Sequence, residues 1–116
     1  MSINVNQLND EISTAPQLAP EHMAAVAAAG YRSVINNRPD FEGGPDQPTN
    51  AAMESAARAA GLEYAFLPVA SGFQTPEQAQ AMAELMARLP KPVMAFCRSG
   101  ARSTRLYMLS REVSSD

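Results

Sequence analysis

The sequence predicts an α/β fold: one domain with a mostly parallel sheet of about four strands flanked by helices. Three observations carry that expectation. Short apolar runs alternate along the chain with longer runs of helical period, the pattern of βαβ units. Loops rich in Gly and Pro separate them. A length of 116 residues with 46% apolar content supports one core and leaves little for a second.

Taken in order, residues 1–10 are polar and read as an N-terminal tail, and 11–116 as the domain. Residues 11–14 suit a short edge strand. Residues 20–29 suit a helix, with Met23, Val26 and Ala27 on one side and Gly30 as its stop. A strand over 31–36 centres on Val34 and Ile35, and a loop over 37–48 follows, carrying Pro39, Gly43, Gly44, Pro45 and Pro48. Residues 49–60 are Ala-rich and helical, ending at Gly61, and 63–69 form the next strand. After a loop over 71–74, Thr75-Pro76-Glu77-Gln78 opens a helix: a Thr cap, Pro at the first position and Gln three after the cap. Met82, Leu85, Met86 and Leu89 recur at helical spacing until Pro90, and the methionines read as core filler. A strand over 92–96 then delivers Cys97, and 103–113 is a last helix with Leu106, Leu109 and Val113 on one face.

Composition narrows the function. A net charge of −3 argues against a general nucleic-acid binder, which needs a basic face. No run approaches the ~18 apolar residues of a membrane span, and residues 1–10 lack the apolar segment of a secretory signal. The single cysteine excludes an internal disulfide and fits a reducing, cytoplasmic setting. One histidine, His22, cannot build a metal cluster with one cysteine, so no metal and no cofactor are expected.

The run Cys97-Arg98-Ser99-Gly100-Ala101-Arg102-Ser103 carries the chemistry. A strand, a Gly-containing loop with two arginines and a helix start together place main-chain N–H groups and the positive helix end around one point. That field binds anions and lowers a thiol pKa, making Cys97 a nucleophile. The competing assignment, a buried strand-end cysteine, does not need Arg98, Gly100 and Arg102 in a tight turn. Gly100 supplies backbone freedom, and Arg102 grips an oxyanion by paired hydrogen bonds. Arg98, Ser99, Gly100, Ala101 and Ser103 complete the cradle, with Ser103 or Thr104 capping the helix and bonding the thiolate. Arg98 points inward or to solvent, while Arg105 and Arg111 read as solvated helix charges. Ligands of parallel sheets bind beyond the carboxyl strand ends, so Arg38 and Asp40 from loop 37–48, with Ser71 and Gln74, share the rim with Cys97.

Ile12-Ser13-Thr14-Ala15-Pro16-Gln17-Leu18, Val34-Ile35-Asn36-Asn37-Arg38-Pro39-Asp40, Leu67-Pro68-Val69 and the Cys97–Ser103 run occur in an order that resembles the bacterial beta-lactamase-hydrolase-like phosphatase domain family, also labelled sulfur transferases. The resemblance implies a fold like tyrosine and dual-specificity phosphatases. It also implies a chain continuing beyond Asp116 into a closing helical segment, and a fused or separate sulfur-oxidising partner enzyme.

Two departures from tyrosine phosphatases favour sulfur chemistry at this level. Four residues separate Cys97 from Arg102 where those enzymes place five, and the string is similar to the active loop of rhodaneses, which carry sulfur as a persulfide. The stretch 70–75 holds no carboxylate to act as general acid, a role worth ~10²–10⁴-fold. Asp40 or Glu42 could replace it, although Asp40 suits equally a turn or an ion pair with Arg38 or Arg102. The leading expectation is therefore sulfur transfer through a Cys97 persulfide, from a small anionic sulfane donor. The alternative is hydrolysis of a phosphate ester through phosphocysteine, with Asp40 as acid. A third reading is an inactive anion-binding module.

Overall fold

The computed structural model describes residues 4–113. The ends of the expected tail and domain, 1–3 and 114–116, lie outside the described residues. Five strands form one sheet: β1 (Asn6–Gln7), β2 (Ile12–Ala15), β3 (Ser33–Asn36), β4 (Glu63–Phe66) and β5 (Val93–Phe96), in the order β1-β2-β5-β3-β4. Only β1 runs antiparallel, pairing Asn6 with Thr14; β2, β5, β3 and β4 are parallel.

The sheet has five strands rather than about four, and the expectations for its N-terminal edge change. Part of the polar tail is β1, so the strand over 11–14 is not an edge but lies between β1 and β5. All four residues of β2 are buried, because its hydroxyls find partners: Tyr31 donates to Ser13 Oγ at 2.8 Å, and Thr14 Oγ1 lies 2.8 Å from Thr104 Oγ1. A polar strand can thus sit inside without unmet donors.

Helices α1 (Met23–Ala28), α2 (Asn50–Ala59), α3 (Pro76–Arg88) and α4 (Ala101–Val113) cover both faces. Strand side chains alternate, so neighbours serve different layers. Val34, Met94 and Phe96 pack with Met23, Val26, Met53 and Ala57 beneath α1 and α2. Ile35, Val93 and Ala95 pack with Met82, Met86, Leu106 and Tyr107 beneath α3 and α4. Strand β5, buried along its whole length between these two layers, reads as a continuous apolar run.

The helix starts follow their sequence signals. Thr75 accepts the Gln78 amide while Gln78 Oε1 accepts the Thr75 amide, closing a capping box at α3. Thr49 caps α2. Before α1, the short turn Pro20–His22 is closed by His22 Nδ1, which accepts the Ala19 amide at 2.9 Å. Helix α4 begins at Ala101, two residues earlier than expected, which puts Arg102 in its first turn. Among the described residues no helix is long and apolar enough to cross a membrane.

Candidate active site

Because β2, β3, β4 and β5 are parallel, their carboxyl ends and following loops lie on one rim. The central strand β5 ends at Phe96, and Cys97 follows with its amide on Ala15 O at 3.4 Å. The loop then curls around the sulfur. Gly100 makes this possible: its φ of +93° is open to glycine, and a Cβ there would stand 3.3 Å from the Ala15 carbonyl carbon and oxygen.

The Gly100 amide donates to Cys97 Sγ at 3.1 Å. Burial alone pushes the thiol pKa up, but the Ser103 amide and hydroxyl and the Ser99 and Gly100 amides outweigh it and hold it below 9.0. The Ser103 amide belongs to the first turn of α4, so the helix end adds its partial positive charge. Cys97 is 0% exposed, lying on the cradle floor with loop donors aimed at it. The expected ring of amides from Arg98 to Ser103 is smaller than foreseen. Ser99, Gly100 and Ser103 serve the sulfur, whereas the Ala101 amide donates to Ser99 Oγ at 3.3 Å.

The Ser103 hydroxyl has one proton and two acceptors in reach, Cys97 Sγ and Asn37 Oδ1, the latter at 2.8 Å. Turning that proton toward sulfur stabilises the thiolate. Asn37 in turn donates to Leu67 O at 2.9 Å, so the ends of β3 and β4 fix the hydroxyl's neighbour. Thr104 instead donates to Gly100 O at 2.9 Å, closing the first turn rather than serving the thiolate.

Arg102 joins three loops. Its Nη1 donates to Glu42 Oε2 and to Val69 O, both at 3.0 Å, and its Nη2 donates to Glu42 Oε1 at 3.1 Å. Those bonds use the end of the guanidinium. They leave Nε–H and the second Nη2–H, a parallel pair on its side, for a bound oxyanion.

Glu42 also accepts from Arg38 Nε at 2.8 Å. Burial pulls its pKa up, but the bonds from Arg102 and Arg38 prevail and hold the carboxyl below 4.5. A group kept ionised in this way is a positioning residue for Arg102, not a proton donor. Arg38, expected to bind the anion, has Nε on Glu42 and Nη1 on Gln17 Oε1 at 3.1 Å, so its guanidinium supports Glu42.

Asp40 also departs from expectation. Its Oδ1 accepts the Asn50 amide at 2.7 Å, anchoring the loop to the start of α2. Phe41 stands between the two acids at a φ of +65°, a turn that sends Asp40 toward α2 and Glu42 toward Arg102. Arg98 and Arg105 line the cavity above Arg102 with Ser71 and Gln74, whereas Arg111 donates to Tyr107 Oη at 2.7 Å. Arg105 is exposed on α4, as a solvated helix charge should be, and it also lines this cavity.

Sequence reading missed Asn36 and Tyr64. Asn36 Oδ1 accepts the Arg38 amide, and its Nδ2 donates to Tyr64 Oη at 3.0 Å. Tyr64 donates to Asn50 Oδ1 at 2.8 Å, with its pKa pushed up to about 12 by burial. Two successive asparagines at the end of a buried strand are the signal that points to such a loop-setting network.

The arrangement is similar to known proteins. The family model described as "Beta-lactamase hydrolase-like protein, phosphatase-like domain" matches residues 4–114. A beta-lactamase hydrolase-like protein of Agrobacterium fabrum is 38% identical over 103 residues, 89% of this chain and 24% of that protein. The chain spans about a quarter of the length of the curated relatives it matches. A Neisseria meningitidis protein described as a candidate phosphatase superposes with a TM-score of 0.81 at 27% identity, covering 88% of this chain and 72% of that one. P. aeruginosa TpbA, seen with phosphotyrosine, shares the fold: TM-score 0.70, 12% identity, 97% and 65% covered.

Proposed function

The chain belongs to the beta-lactamase hydrolase-like, phosphatase-like domain family, and from that premise we propose that it is a cysteine-dependent phosphatase acting on phosphate monoesters. This reverses the order expected from sequence, where sulfur transfer came first. The phosphatase-like relatives support the change.

The observation that carries the reading is the pairing of Cys97 with Arg102. One strand–loop–helix run supplies both a thiol held below its ordinary pKa and, in the first turn of α4, a guanidinium whose side edge offers two N–H groups. The Cys97 thiolate attacks phosphorus, an S–P bond forms and the ester P–O bond breaks. Arg102 and the loop amides hold the charge on the equatorial oxygens. Water then hydrolyses the phosphocysteine, releasing phosphate and restoring the thiolate. Neither Asp40 nor Glu42 is set to protonate the leaving oxygen, so esters of acidic alcohols such as phenols are the favoured substrates.

One observation favours a second reading, sulfur transfer. Four residues lie between Cys97 and Arg102, and sulfite leaves without an acid. There Cys97 would displace sulfite from thiosulfate, keep the sulfane sulfur as a persulfide, and yield thiocyanate to cyanide.

The test is a paired assay of one preparation with p-nitrophenyl phosphate, and with thiosulfate plus cyanide, each against Cys97→Ser. Phosphatase action releases nitrophenol and phosphate and loses both in the variant. Thiocyanate alone would overturn the reading, and turnover surviving Cys97→Ser would remove both.

A further inference from the structure

A cavity of about 470 Å³ opens over the loop that follows Cys97, walled by Arg98, Arg102, Arg105, Ser71 and Gln74 among others. Its described walls carry three guanidiniums and no carboxylate. These are three of only nine Lys and Arg residues in a chain of net charge −3, so the concentration is local.

The three differ in engagement. Arg102 is tied to Glu42 and Val69. Arg98 and Arg105 have no side-chain hydrogen bond or ion pair among the described residues. Glu42 pairs with Arg38 and Arg102, and among the described residues no carboxylate pairs with the other two.

The placement does not serve the helix. Arg102 and Arg105, three apart on α4, repel each other, and the first turn disfavours cations. Gln74, on the same wall, keeps Oε1 buried without a hydrogen-bond partner.

We infer that Arg98 and Arg105 form a second anion subsite beside the Cys97 cradle, so that the substrate is a small phosphate ester bearing a second phosphate or comparably charged group. The inference rests on the phosphatase reading of the cradle and names its substrate class. The second anion takes the two unpaired guanidiniums, which suit phosphate oxygens by their planar forks.

Calorimetric titration of the Cys97→Ser protein with inorganic phosphate and with tripolyphosphate, at one fixed salt concentration, tests this. Tripolyphosphate should bind at least ~10-fold tighter, as one added charge-assisted contact requires. Adding Arg98→Ala and Arg105→Ala together should return that ratio to near one. Arg58→Ala, which removes an arginine of α2 paired with Glu54, should leave the ratio intact. A ratio near one before the arginines are removed overturns the subsite, as does a ratio that survives their removal or falls equally in Arg58→Ala. Nitrophenyl phosphate turnover by the unmodified chain reports separately: turnover with a ratio near one sinks the subsite alone, and no turnover with the ratio intact sinks the phosphatase reading alone.

Discussion

Glu42 meets Arg102 end-on, with its two carboxylate oxygens 3.0 and 3.1 Å from Nη1 and Nη2. One carboxylate thus orients the Arg102 guanidinium from a loop sixty residues upstream. It does so while also holding Arg38.

Glu42→Gln keeps the shape and removes the charge, so one amide oxygen faces two guanidiniums. With charged hydrogen bonds worth ~1.5–3 kcal/mol, kcat/KM should fall at least ~10-fold. Because burial is outweighed and the pKa of Glu42 lies below 4.5, the unfolded chain takes up this proton more readily. Its stabilising contribution is therefore full above 4.5 and is lost as pH falls through the lower folded value. Thermal melts between pH 6 and 3 should show a steeper acid loss in the native chain than in the variant; parallel curves would refute the pairing.

Ser103→Ala removes the hydroxyl proton that the thiolate shares with Asn37. The thiolate is the reactive form, so rates rise with pH through the pKa of Cys97, held below 9.0. Losing a stabilising donor moves that pKa up, and the acid limb of kcat/KM should shift to higher pH. Alkylation by iodoacetamide across pH should shift the same way. An unmoved limb would show the hydroxyl committed to Asn37.

Gly100→Ala should be far worse than Gly61→Ala, although both glycines are left-handed. A left-handed alanine costs ~1–2 kcal/mol at either place. Only at Gly100 does the new Cβ meet backbone, 3.3 Å from Ala15, whereas Gly61 has nothing within 4 Å. Both variants should melt earlier, and turnover should fall more than ~10-fold only in Gly100→Ala.

Arg102→Lys keeps the charge and loses the fork. An ammonium cannot hold Glu42, the Val69 carbonyl and an oxyanion in one plane. Loss of such a donor to transition-state charge costs ~10²–10³ in kcat. A variant with near-native kcat would show that the loop amides suffice.

What could be read from the chain was what depends on local order. Cys97 and Arg102 stand in a strand–loop–helix run whose purpose shows in six residues, and Thr75 to Gln78 announces its own cap. Strand β1 has two exposed residues and exists only as a partner of β2, so no pattern reveals it. Ser13 and Thr14 look like edge residues until Tyr31 and Thr104 arrive from distant segments. The acids of loop 37–48 could not be assigned because a single dihedral, at Phe41, separates their directions. Arg105 gains its meaning only from the loop over 71–74, which periodicity cannot place against α4.

Strand β5 has parallel partners along both edges, β2 and β3, and all four of its residues are buried. Its amides should be among the last to exchange with solvent deuterium, after the rim has frayed many times. The base of the nucleophile thus stays fixed while the carboxylate and arginine loops around it breathe, so warming should degrade selectivity before it displaces sulfur.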